Sequence, residues 1–575
     1  MLKIKNIALI LASLFLVSCN NKIDESDKQT SEPVSYETSI ITSEFEDADK
    51  QAPVYTGDDV VVSKVMHNSY GSYLQVEDKP FAYIGTQIRI DAFMNCDKLS
   101  YDQVELLFAE AAKLGVTCVQ IPLEWAKIEL QEGLFNFEYI YKMLSFANKY
   151  DLKVEFLWFG TNMCGDSHSY TVPDYILKDG KTYPKFDALR TGEYWNYYGI
   201  MWFLDFDNPN LIAKESLAIS KCMEYVYEFD STHGAKKPLI GMQVLNEPDI
   251  FVRWRIYQQD VLSRTTNQLF SESEGYQKIC NSLDALGKEV KKAKYKIYTR
   301  VNLASSTNPD FNGIGNGIYQ GNELKEAPSF AKAFQSLEGI DIVGDDAYSS
   351  NIKNIKGIVS MFSTKIENNF GHLAENDASY GNSPSLILAS FYAHGGYSMY
   401  DLLTSPFFVD NNSANIDQGI ILYDGDSFDR FTYKSHYSAT QNIINGIKLV
   451  SHEIYNIDNQ NFACFNLKKD YPDKEMSQDI NTTNLQISFS TSKGAIGYGL
   501  DFGDHLDVYV TEDSTITLSG TVTKIEQGIY QNGSFVSDKQ IDNNNSINLE
   551  GSKLYRIEYQ SSATYSSTTW NSIGG

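Results

Sequence analysis

Two glutamates, Glu247 and Glu375, each follow an apolar run at the point where the chain turns polar. Glu247 comes after Leu239–Leu245, and Glu375 comes after Phe370–Ala374. Two carboxyl groups about 5–5.5 Å apart can cleave a glycosidic bond with retention of configuration, because one delivers a proton while the other attacks the anomeric carbon. Their close approach raises the pKa of the carboxyl that must stay protonated. The sequence therefore predicts a catalytic pair if the fold brings these two run ends together.

Both glutamates also have structural interpretations. Glu247 precedes Pro248 and could cap a following helix. Glu375 could instead form a salt bridge in a loop, or Glu367 could be the carboxylate that partners Glu247. We favour catalysis for both Glu247 and Glu375, because strand C-termini face the active site in a barrel.

The elements that would position these residues alternate between strand and helix. The runs with strand character are Phe81–Ile90, Thr117–Pro122, Lys153–Phe159, Leu239–Leu245, Lys296–Asn302, Ile340–Gly344, Phe370–Ala374 and Tyr397–Leu402. The helix candidates between them include Tyr101–Leu114, Glu138–Tyr150, Leu211–Phe229, Ser271–Lys292, Ile352–Ile366 and Pro384–His394. This alternation predicts an α/β fold, a (β/α)8 TIM barrel. A doubly wound sheet is the alternative, but no glycine-rich turn follows the first strand, and Gly313–Gly317 is interpreted as a loop.

The two ends of the chain differ in composition from this central part. We predict a lipoprotein signal peptide at residues 1–19, a flexible polar tether at 20–55, the barrel domain at 56–460 and a small C-terminal β-sandwich domain at 461–575. The barrel domain should begin with a short strand pair, Val60–Val65 and Ser72–Val76. The sandwich is indicated by short alternating stretches such as Leu485–Phe489, Leu506–Val510, Ser514–Leu518 and Lys553–Tyr559.

The N-terminus has the features of a bacterial export signal. Lys3 and Lys5 precede the apolar run Ile7–Val17, which is shorter than the ~20 residues that span a bilayer. The ending Leu16-Val17-Ser18-Cys19 resembles the bacterial lipobox. This implies a lipid on Cys19 that anchors the protein to a membrane of the cell envelope, in the periplasm or at the cell surface. A plain signal peptide with an unmodified Cys19 is the alternative.

Composition and missing motifs narrow the classes of function. The formal net charge of −26 argues against nucleic acid as a partner, because phosphate backbones would be repelled. The sequence has no CxxC pair, HExxH motif or Cys/His cluster, so no metal site is predicted. It also lacks the GxSxG motif of serine hydrolases and the P-loop of nucleotide enzymes. No cofactor is therefore expected, and nothing in the sequence identifies a protein partner.

Two passages resemble glycoside hydrolase clan A. Asn246-Glu247-Pro248, which closes the predicted fourth strand, is similar to the acid/base motif of the clan. Upstream, Ile121–Trp125 (IPLEW), Glu132–Phe137 (EGLFNF) and Leu152–Phe156 (LKVEF) are similar to the segment between the second and third strands of the β-galactosidase families 35 and 42. The resemblance covers roughly residues 79–455. Because these passages occur in the same order as in the clan, the resemblance is more specific than the Asn-Glu-Pro tripeptide would be alone.

The resemblance implies roles for individual residues. Glu247 would be the acid/base and Glu375 the nucleophile, and Asn246 would donate a hydrogen bond to the 2-hydroxyl of the sugar. Arg89 would steady the nucleophile, and Tyr348 would donate a hydrogen bond to it.

Aromatic residues provide further candidates for sugar contacts. Trp158, at the end of the third predicted strand, could stack on a sugar face, and Trp125 and Tyr400 could also line the site. The sequence departs from the clan at two places. Ala374 precedes Glu375 where relatives often have Thr or Ser, and Tyr400 stands where many relatives have Trp.

We therefore expect a retaining β-glycosidase that acts on an oligo- or polysaccharide of plant or host origin and is most similar to a β-galactosidase. An endo-β-glycanase of the same clan (glucanase, mannanase or xylanase) is the first alternative, because the aromatic insertion at residues 162–210 could form subsites for a sugar chain. The second alternative is a surface lipoprotein that binds glycans without cleaving them.

Overall fold

Eight parallel strands close into a barrel in this computed structural model. They are β1 Ile84–Gln87, β2 Cys118–Glu124, β3 Lys153–Phe159, β4 Leu239–Gln243, β5 Tyr298–Leu303, β6 Ile342–Asp346, β7 Gly371–Asn376 and β8 Gly395–Met399. Their order around the barrel is the order of the chain, and β8 pairs with β1, with Tyr397 opposite Ile84. The structure describes residues 38–41, 50–161, 171–187, 202–248, 272–303, 329–404, 419–423, 430–467, 476–561 and 563–569.

Eight helices follow the eight strands in turn. They are α1 Tyr101–Leu114, α2 Glu138–Tyr150, α3 Pro209–Thr232, α4 Glu272–Lys292, α5 Ser329–Gln335, α6 Ile352–Thr364, α7 Ser383–Tyr392 and α8 Tyr437–Leu449. Strands covered in this way are buried on both faces, and all seven residues of β2 and all six of β5 are buried. This is why the strands appear in the sequence as continuous apolar runs.

The ends of α1 show how local sequence sets the helix limits. Ser100 caps the N-terminus, since its hydroxyl accepts the backbone N–H of Gln103 while the Gln103 side chain bonds the backbone of Ser100. The buried residues of α1 are Val104, Leu107, Phe108, Ala111 and Leu114, which recur at helical spacing. A strong cap and a clear apolar stripe fix both limits of this helix within the sequence itself.

The predicted TIM barrel is confirmed, and closure between β8 and β1 rules out the doubly wound sheet. The strand ranges predicted from sequence overlap all eight barrel strands, and Lys153–Phe159 matches β3 residue for residue. Helices α5 and α8 were not predicted. The first is only seven residues long, and the second contains Gly446 and several β-branched residues, which have low helix propensity. The run Gly313–Gly317 lies outside the described residues.

Shorter elements decorate the barrel. The strands Ser63–Asn68, Gly71–Val76 and Lys79–Pro80 form an antiparallel sheet, close to the predicted strand pair. The remaining short strands are Val60–Val61, Glu129–Gln131, Leu134–Phe135, Lys185–Asp187, Trp202–Leu204, Tyr295–Lys296, Asp401–Leu403, Gly419–Tyr423 and Phe431–Tyr433. The short helices are Ile90–Asn95, Trp125–Ile128 and Asp174–Lys178, with a 3-10 turn at Asn459–Asn461.

Part of the predicted flexible tether is bound to the barrel domain instead. Ser39–Ile40 forms a strand that pairs in parallel with Leu134–Phe135. Further along, the N–H groups of Gln51 and Val54 donate to the carbonyls of Thr232 and Ser231 at 2.8 and 2.9 Å. The prediction of a tether at 20–55 is therefore wrong for these two stretches, because backbone hydrogen bonding offsets their lack of large apolar side chains.

The C-terminal part consists of two antiparallel sheets. The strands are β9 Phe462–Leu467, β10 Met476–Asn481, β11 Gln486–Thr491, β12 Ala495–Asp501, β13 His505–Val510, β14 Ser514–Leu518, β15 Thr521–Gln531, β16 Ser534–Ile541, β17 Ser546–Leu549 and β18 Lys553–Gln560. One sheet has the order β9-β12-β13-β18-β15-β16, and the other has the order β10-β11-β14-β17. Their apolar faces share a core in which the rings of Phe465 and Phe489 stack 4.4 Å apart. This confirms the predicted small β-sandwich after the barrel.

The sandwich packs on helix α8. The hydroxyls of Tyr498 and Tyr509 donate to the carbonyls of Gly446 and Asn442 at 2.6 and 2.7 Å. A Cβ atom on Gly446 would lie 2.4 Å from the Tyr509 ring, so only glycine allows this close approach. The glycine that weakens α8 is thus required by its contact with the sandwich.

Within the described residues, no helix is both long enough and apolar enough to cross a bilayer. The predicted signal sequence with Cys19 lies outside the described residues, as do residues 162–170 and 188–201 of the aromatic insertion.

Candidate active site

Glu375 lies near the C-terminal end of β7, is 8% exposed, and accepts a hydrogen bond at each carboxylate oxygen. Gln87, the last residue of β1, donates from Nε2 to Oε1 at 2.5 Å. Tyr348, just beyond β6, donates its hydroxyl to Oε2. The two donors come from different sides of β7, Tyr348 from beyond the adjacent β6 and Gln87 from β1, which is two strands away, so the fold determines the orientation of this carboxyl.

The surroundings of Glu375 oppose the effect of its burial. Burial raises the pKa of Glu375 above its ordinary value, whereas the hydrogen bonds from Tyr348 and Gln87 and the positive charge of Arg89 act to lower it. Burial and the charge of Glu375 also raise the pKa of Tyr348 well above its ordinary value, so the phenol keeps its proton. The site thus holds a poorly hydrated carboxyl whose two hydrogen bonds favour the ionised form, as a nucleophile needs.

Backbone contacts join the ends of β6, β7 and β8. Asp346 lies opposite Glu375 in the strand register, which is irregular at this point. The N–H of Ala347 donates to the Glu375 carbonyl at 3.0 Å, and the N–H of Tyr400 donates to the Asn376 carbonyl at 2.7 Å. These bonds hold Tyr400, and Tyr348 directly after Ala347, on the same side of the barrel mouth as Glu375.

Glu247 follows β4 at the same end of the barrel and is partly exposed. Its backbone has a φ of +43°, in the left-handed region that non-glycine residues rarely adopt. The N–H of Glu247 donates to Asn302 Oδ1 at 3.0 Å, and its Oε2 accepts from Asn246 Nδ2 at 3.4 Å. The carboxyl of Glu247 is therefore more accessible than that of Glu375.

The amide of Asn246 is oriented by two donors. Gln243 Nε2 and Asn302 Nδ2 donate to Asn246 Oδ1 at 2.8 and 3.2 Å. With the oxygen held in this way, the Nδ2 group faces the carboxyl of Glu247. A hydrogen-bond donor is thus fixed next to the carboxyl of Glu247.

A third carboxyl, Asp346, lies between the two glutamates. Its Oδ2 accepts from Asn302 Nδ2 at 2.6 Å, and its side chain is fully buried. Burial, followed by the negative charges of Glu375 and Glu247, raises the pKa of Asp346 well above its ordinary value. Asp346 is therefore within electrostatic range of both glutamates at the mouth of the barrel.

Arg89 and Tyr400 form the flank of the site near β1 and β8. Arg89 Nη1 donates to the Tyr400 hydroxyl at 2.6 Å, and Arg89 also pairs with Asp91 through bonds of 3.2 and 3.0 Å. The ring of Tyr400 meets that of Tyr348 edge on, with centroids 5.6 Å apart. Arg89 acts on Glu375 through its positive charge, and Gln87 donates a direct hydrogen bond to the same carboxylate.

Three other sequence candidates lie away from the open part of the site. Trp158 is fully buried and donates from its indole nitrogen to Glu215 at 2.8 Å, so it presents no free face for stacking on a sugar. Trp125 is also fully buried and donates to Glu129 at 2.7 Å. Glu367 is exposed in the turn between α6 and β7, at the opposite end of the barrel. The assignment of Trp158 to the substrate site was therefore wrong, and so was the alternative partner Glu367.

Three residues of the site were missed by sequence analysis: Gln87, Asn302 and Asp346. Gln87 is two positions before Arg89 at the end of β1, a spacing that puts both side chains on one strand face. Asn302 and Asp346 lie at the ends of β5 and β6. Polar residues at strand C-termini were the available signal, since that rule located both glutamates.

The floor beneath the site is a buried ion pair. Arg300 on β5 donates to the carboxylate of Glu155 on β3 at 2.7 and 3.1 Å, and Tyr83 and Gln120 donate to it at 2.6 and 2.9 Å. Burial acts to raise the pKa of Glu155, but the charge and hydrogen bonds of Arg300 outweigh it and lower that pKa to about 2. His372 lies in the same interior, where burial lowers its pKa to about 3. These groups support the barrel rather than the chemistry at its mouth.

A cavity of about 310 Å³ lies beside the site, between the segments that follow β1 and β2. Asp91, Asn95, Tyr101 and Glu124 are among its lining residues. Burial and the charge of Asp91 raise the pKa of Glu124 to about 7. Among the residues that the structure describes, no group of three or more His, Cys, Asp or Glu side chains is arranged to hold a metal ion.

Comparison with known sequences gives one family match. Residues 278–472, from α4 to just beyond β9, match a family described as a domain of unknown function (DUF4978). This is about a third of the chain. No curated protein matches the sequence.

Several solved structures are similar to this chain over about two thirds of its length. The exo-β-1,4-mannosidase Op5Man5 from Opitutaceae bacterium strain TAV5 matches with a TM-score of 0.44 and 12% identity, over 68% of this chain and 63% of the mannosidase, which is less than two thirds of its length. GH5_18 from Streptomyces cattleya, in complex with GlcNAc, gives a TM-score of 0.44 at 10% identity, over 64% and 80% of the two chains. The endo-1,4-β-mannanase from Rhizomucor miehei gives 0.40 at 13% identity, over 66% and 99%. At these scores, nothing about the activity of this chain follows from the matches.

Proposed function

We propose that this protein is a retaining β-glycosidase in which Glu247 is the acid/base and Glu375 is the nucleophile. One observation carries the proposal. Asp346 is opposite Glu375 in the strand register, and Asn302 bonds both Asp346 and the backbone of Glu247. The backbones of Glu247, after β4, and Glu375, on β7, are thereby connected through Asn302 and Asp346 at the end of a TIM barrel where active sites lie. Paired carboxyls in such a place are what retaining hydrolysis requires.

The surroundings of the two glutamates support these roles and not the reverse assignment. Glu375 is buried, and each of its oxygens accepts a hydrogen bond, which favours a fixed anion. Glu247 is partly exposed, and the contact from Asn246 is a long 3.4 Å. A group that exchanges a proton with the leaving group and then with water must be reachable by both. Glu247 meets this condition better than Glu375.

The reaction proceeds in two displacements. Glu247 gives its proton to the glycosidic oxygen while a Glu375 oxygen bonds to the anomeric carbon, and the bond from that carbon to the leaving oxygen breaks. The anionic Glu247 then takes a proton from water, whose oxygen attacks the same carbon and displaces Glu375 as a carboxylate. The sugar leaves with its original configuration, and both glutamates return to their starting states. The oriented Nδ2 group of Asn246 would meet the 2-hydroxyl of the sugar.

The substrate that we propose is a β-galactoside in an oligo- or polysaccharide of plant or host origin. This part of the proposal rests on the resemblance of IPLEW, EGLFNF and LKVEF to β-galactosidase families 35 and 42. An endo-acting enzyme would require an oligosaccharide, whereas an exo-acting enzyme should release a monosaccharide from an aryl glycoside. Hydrolysis of p-nitrophenyl β-galactoside, tested beside the gluco, manno and xylo analogues, distinguishes these possibilities.

The cellular location that we propose is the bacterial envelope, with Cys19 lipidated. The lipobox-like Leu16–Cys19 supports this location. Expression in a bacterial host with a labelled fatty acid should label the full chain but not Cys19→Ala. Equal labelling of the two proteins would contradict the anchor.

Azide rescue tests the two catalytic roles separately. Glu375→Gly and Glu247→Ala should each lose about 10²–10⁴-fold in kcat on an aryl β-glycoside. Azide added to Glu375→Gly attacks from the face that the nucleophile occupied and should give the α-glycosyl azide. Azide added to Glu247→Ala intercepts the glycosyl-enzyme and should give the β-glycosyl azide.

The exposed Glu367 provides the matched control, since Glu367→Gln removes the charge of a glutamate far from the mouth. It should retain the wild-type rate. Wild-type activity in both Glu247→Ala and Glu375→Gly would exclude the proposed pair. Sugar binding without any turnover would favour the non-catalytic glycan-binding protein.

A further inference from the structure

Asp346 has an incomplete set of hydrogen bonds in the most buried part of the site. Its Oδ2 accepts from Asn302 Nδ2 at 2.6 Å. Its Oδ1 is buried and has no hydrogen-bond partner among the described residues. An ionised carboxylate in such a place would leave one charged oxygen unsolvated, which is costly. A neutral carboxylic acid avoids that cost, because its carbonyl oxygen accepts from Asn302 while Oδ1 carries the proton.

Asn302 uses its whole amide group in this network. Its Oδ1 accepts the N–H of Glu247 at 3.0 Å, and its Nδ2 donates to Asp346 at 2.6 Å and to Asn246 Oδ1 at 3.2 Å. A flipped amide would place two donors against each other at Glu247 and two acceptors against each other at Asp346. The acceptor on Asp346, whose bond to Asn302 is the shortest of the three, therefore acts with Asn246 and the N–H of Glu247 to determine which way Asn302 faces.

The backbone of Glu247 depends on this orientation. Its φ of +43° is unfavourable for a residue with a Cβ atom and persists only where surrounding contacts hold it. The bond from the Glu247 N–H to Asn302 is such a contact. A line of contacts therefore runs from Asp346 through Asn302 to the residue that we propose as the acid/base.

The charges that face Asp346 come from every strand around it. Glu375 on β7 and Glu247 after β4 are negative neighbours, and Asp345 is the adjacent residue on β6. Arg300 on β5 is the positive neighbour; its Nε and Nη2 are paired with Glu155, and its Nη1 has no hydrogen-bond partner among the described residues. Tyr348 also faces the same cluster. Negative charge predominates, so an ionised Asp346 would repel both catalytic glutamates.

We propose that Asp346 is a positioning residue which, as an uncharged carboxylic acid, holds Asn302 and thereby the left-handed backbone of Glu247, without adding a third negative charge to the site. This inference rests on the proposed glycosidase function. This role explains why the buried carboxyl of Asp346 lies near those of Glu247 and Glu375: its oxygen accepts the hydrogen bond from Asn302, and its negative charge is not required.

Two substitutions separate the acceptor from the charge. Asp346→Asn keeps a carbonyl for Asn302 and cannot ionise, whereas Asp346→Ala removes the acceptor. The measurement is kcat/KM across pH for a 2,4-dinitrophenyl glycoside, which leaves without protonation, and for a methylphenyl glycoside, which needs the acid. Circular dichroism checks that each variant is folded, and Asn302→Ala provides a second way to break the same line of contacts.

We expect Asp346→Asn to retain at least about a third of wild-type kcat/KM on both substrates, with the alkaline limb of the profile unmoved. Asp346→Ala and Asn302→Ala should lose about 10–100-fold on the methylphenyl glycoside and less than about fivefold on the dinitrophenyl glycoside, because only the first depends on general acid catalysis. KM should change little in either case, since the effect is on proton delivery.

Three results would overturn the inference. A fall of the alkaline limb to lower pH in Asp346→Asn would mean that the wild-type residue is charged and holds up the pKa of Glu247. Equal losses on both substrates in Asp346→Ala would indicate a merely structural role. An Asp346→Asn as damaged as Asp346→Ala would exclude a role as acceptor. All three results require a wild type that cleaves an aryl glycoside. A wild type that cleaves none would instead contradict the glycosidase proposal, and this inference would fail with it.

Discussion

The hydroxyl of Tyr348 is the most direct means of testing the electrostatics of the site. Tyr348→Phe removes one oxygen atom, and that oxygen donates a hydrogen bond to Glu375 Oε2. The ring itself should stay in place, since it packs edge on against Tyr400 with centroids 5.6 Å apart. The substitution therefore changes the ionisation of Glu375 without opening a cavity in the barrel mouth.

The size of the effect follows from the type of bond that is lost. A hydrogen bond to a charged group contributes about 1.5–3 kcal/mol. At about 1.4 kcal/mol per pKa unit, its loss should raise the pKa of Glu375 by about 1–2 units. Burial already raises this pKa, and the bond from Tyr348 opposes that rise, so the loss adds to the shift in the same direction.

The assay is the pH dependence of kcat/KM on an aryl β-glycoside. Glu375 must be ionised to attack, so the acid limb reports its pKa in the free enzyme. We expect Tyr348→Phe to move the acid limb to higher pH by about 1–2 units. The profile of the wild type should therefore extend further into acid than that of the variant.

A tyrosine on the next strand provides the matched control. Tyr397 on β8 is buried, and its hydroxyl donates to Asn376 Oδ1 at 2.7 Å, which is a bond to a neutral amide. Tyr397→Phe should lower stability but leave the acid limb where it is. If the limb stays fixed in Tyr348→Phe, or moves to lower pH, the hydrogen bond does not stabilise the ionised form and the reasoning fails.

Three further substitutions test the packing and charges of the barrel. Glu155→Gln should lower the free energy of unfolding of the protein in urea by about 3–5 kcal/mol, because the charge of Arg300, whose side chain is 1% exposed, loses its carboxylate partner. A loss below about 1 kcal/mol would contradict this. The free energy of unfolding of Glu124→Gln, measured by thermal unfolding, should equal that of the wild type near pH 4 and exceed it by roughly 3 kcal/mol at pH 8. Burial raises the pKa of Glu124 from 4.5 to about 7, so the wild type loses stability as pH rises through that interval and the buried carboxyl must ionise. Equal unfolding temperatures of the two proteins at pH 8 would argue against this. Gly241→Ala should cost about 1–3 kcal/mol in thermal unfolding, since its Cβ would lie 2.1 Å from the ring of Tyr298; an unchanged melting temperature would mean that the ring moves aside freely.

Local sequence was sufficient to locate the eight barrel strands and six of the eight helices that follow them. The apolar run Lys153–Phe159 became β3 without a change of limits, and Tyr101–Leu114 became α1 with its cap and its apolar stripe. Such patterns arise because a covered parallel strand or an amphipathic helix is defined by neighbours along the chain. Glu247 and Glu375 could be identified for the same reason, since each follows one of these runs.

What the sequence left undecided were the contacts between strand ends. Gln87 lies 288 positions before Glu375 along the chain, and nothing local marks it as the donor to that carboxylate. The same holds for the line from Asp346 through Asn302 to Glu247, whose members come from three different strand ends. Trp158 shows the opposite error, because its place at a strand end suggested a role in binding sugar while its indole is enclosed beside Glu215.

The sequence by itself determined where the barrel strands and six of the eight helices lie and which two glutamates come near the ends of β4 and β7, because these depend on periodicity and on polar interruptions of it. The tertiary structure alone decided which side chains meet at the barrel mouth, because closure of the barrel and an irregular register between β6 and β7 set those distances. Burial was decided at the same level. A carboxyl such as Asp346 acquires its special state from the strands packed around it and not from its own neighbours in the chain.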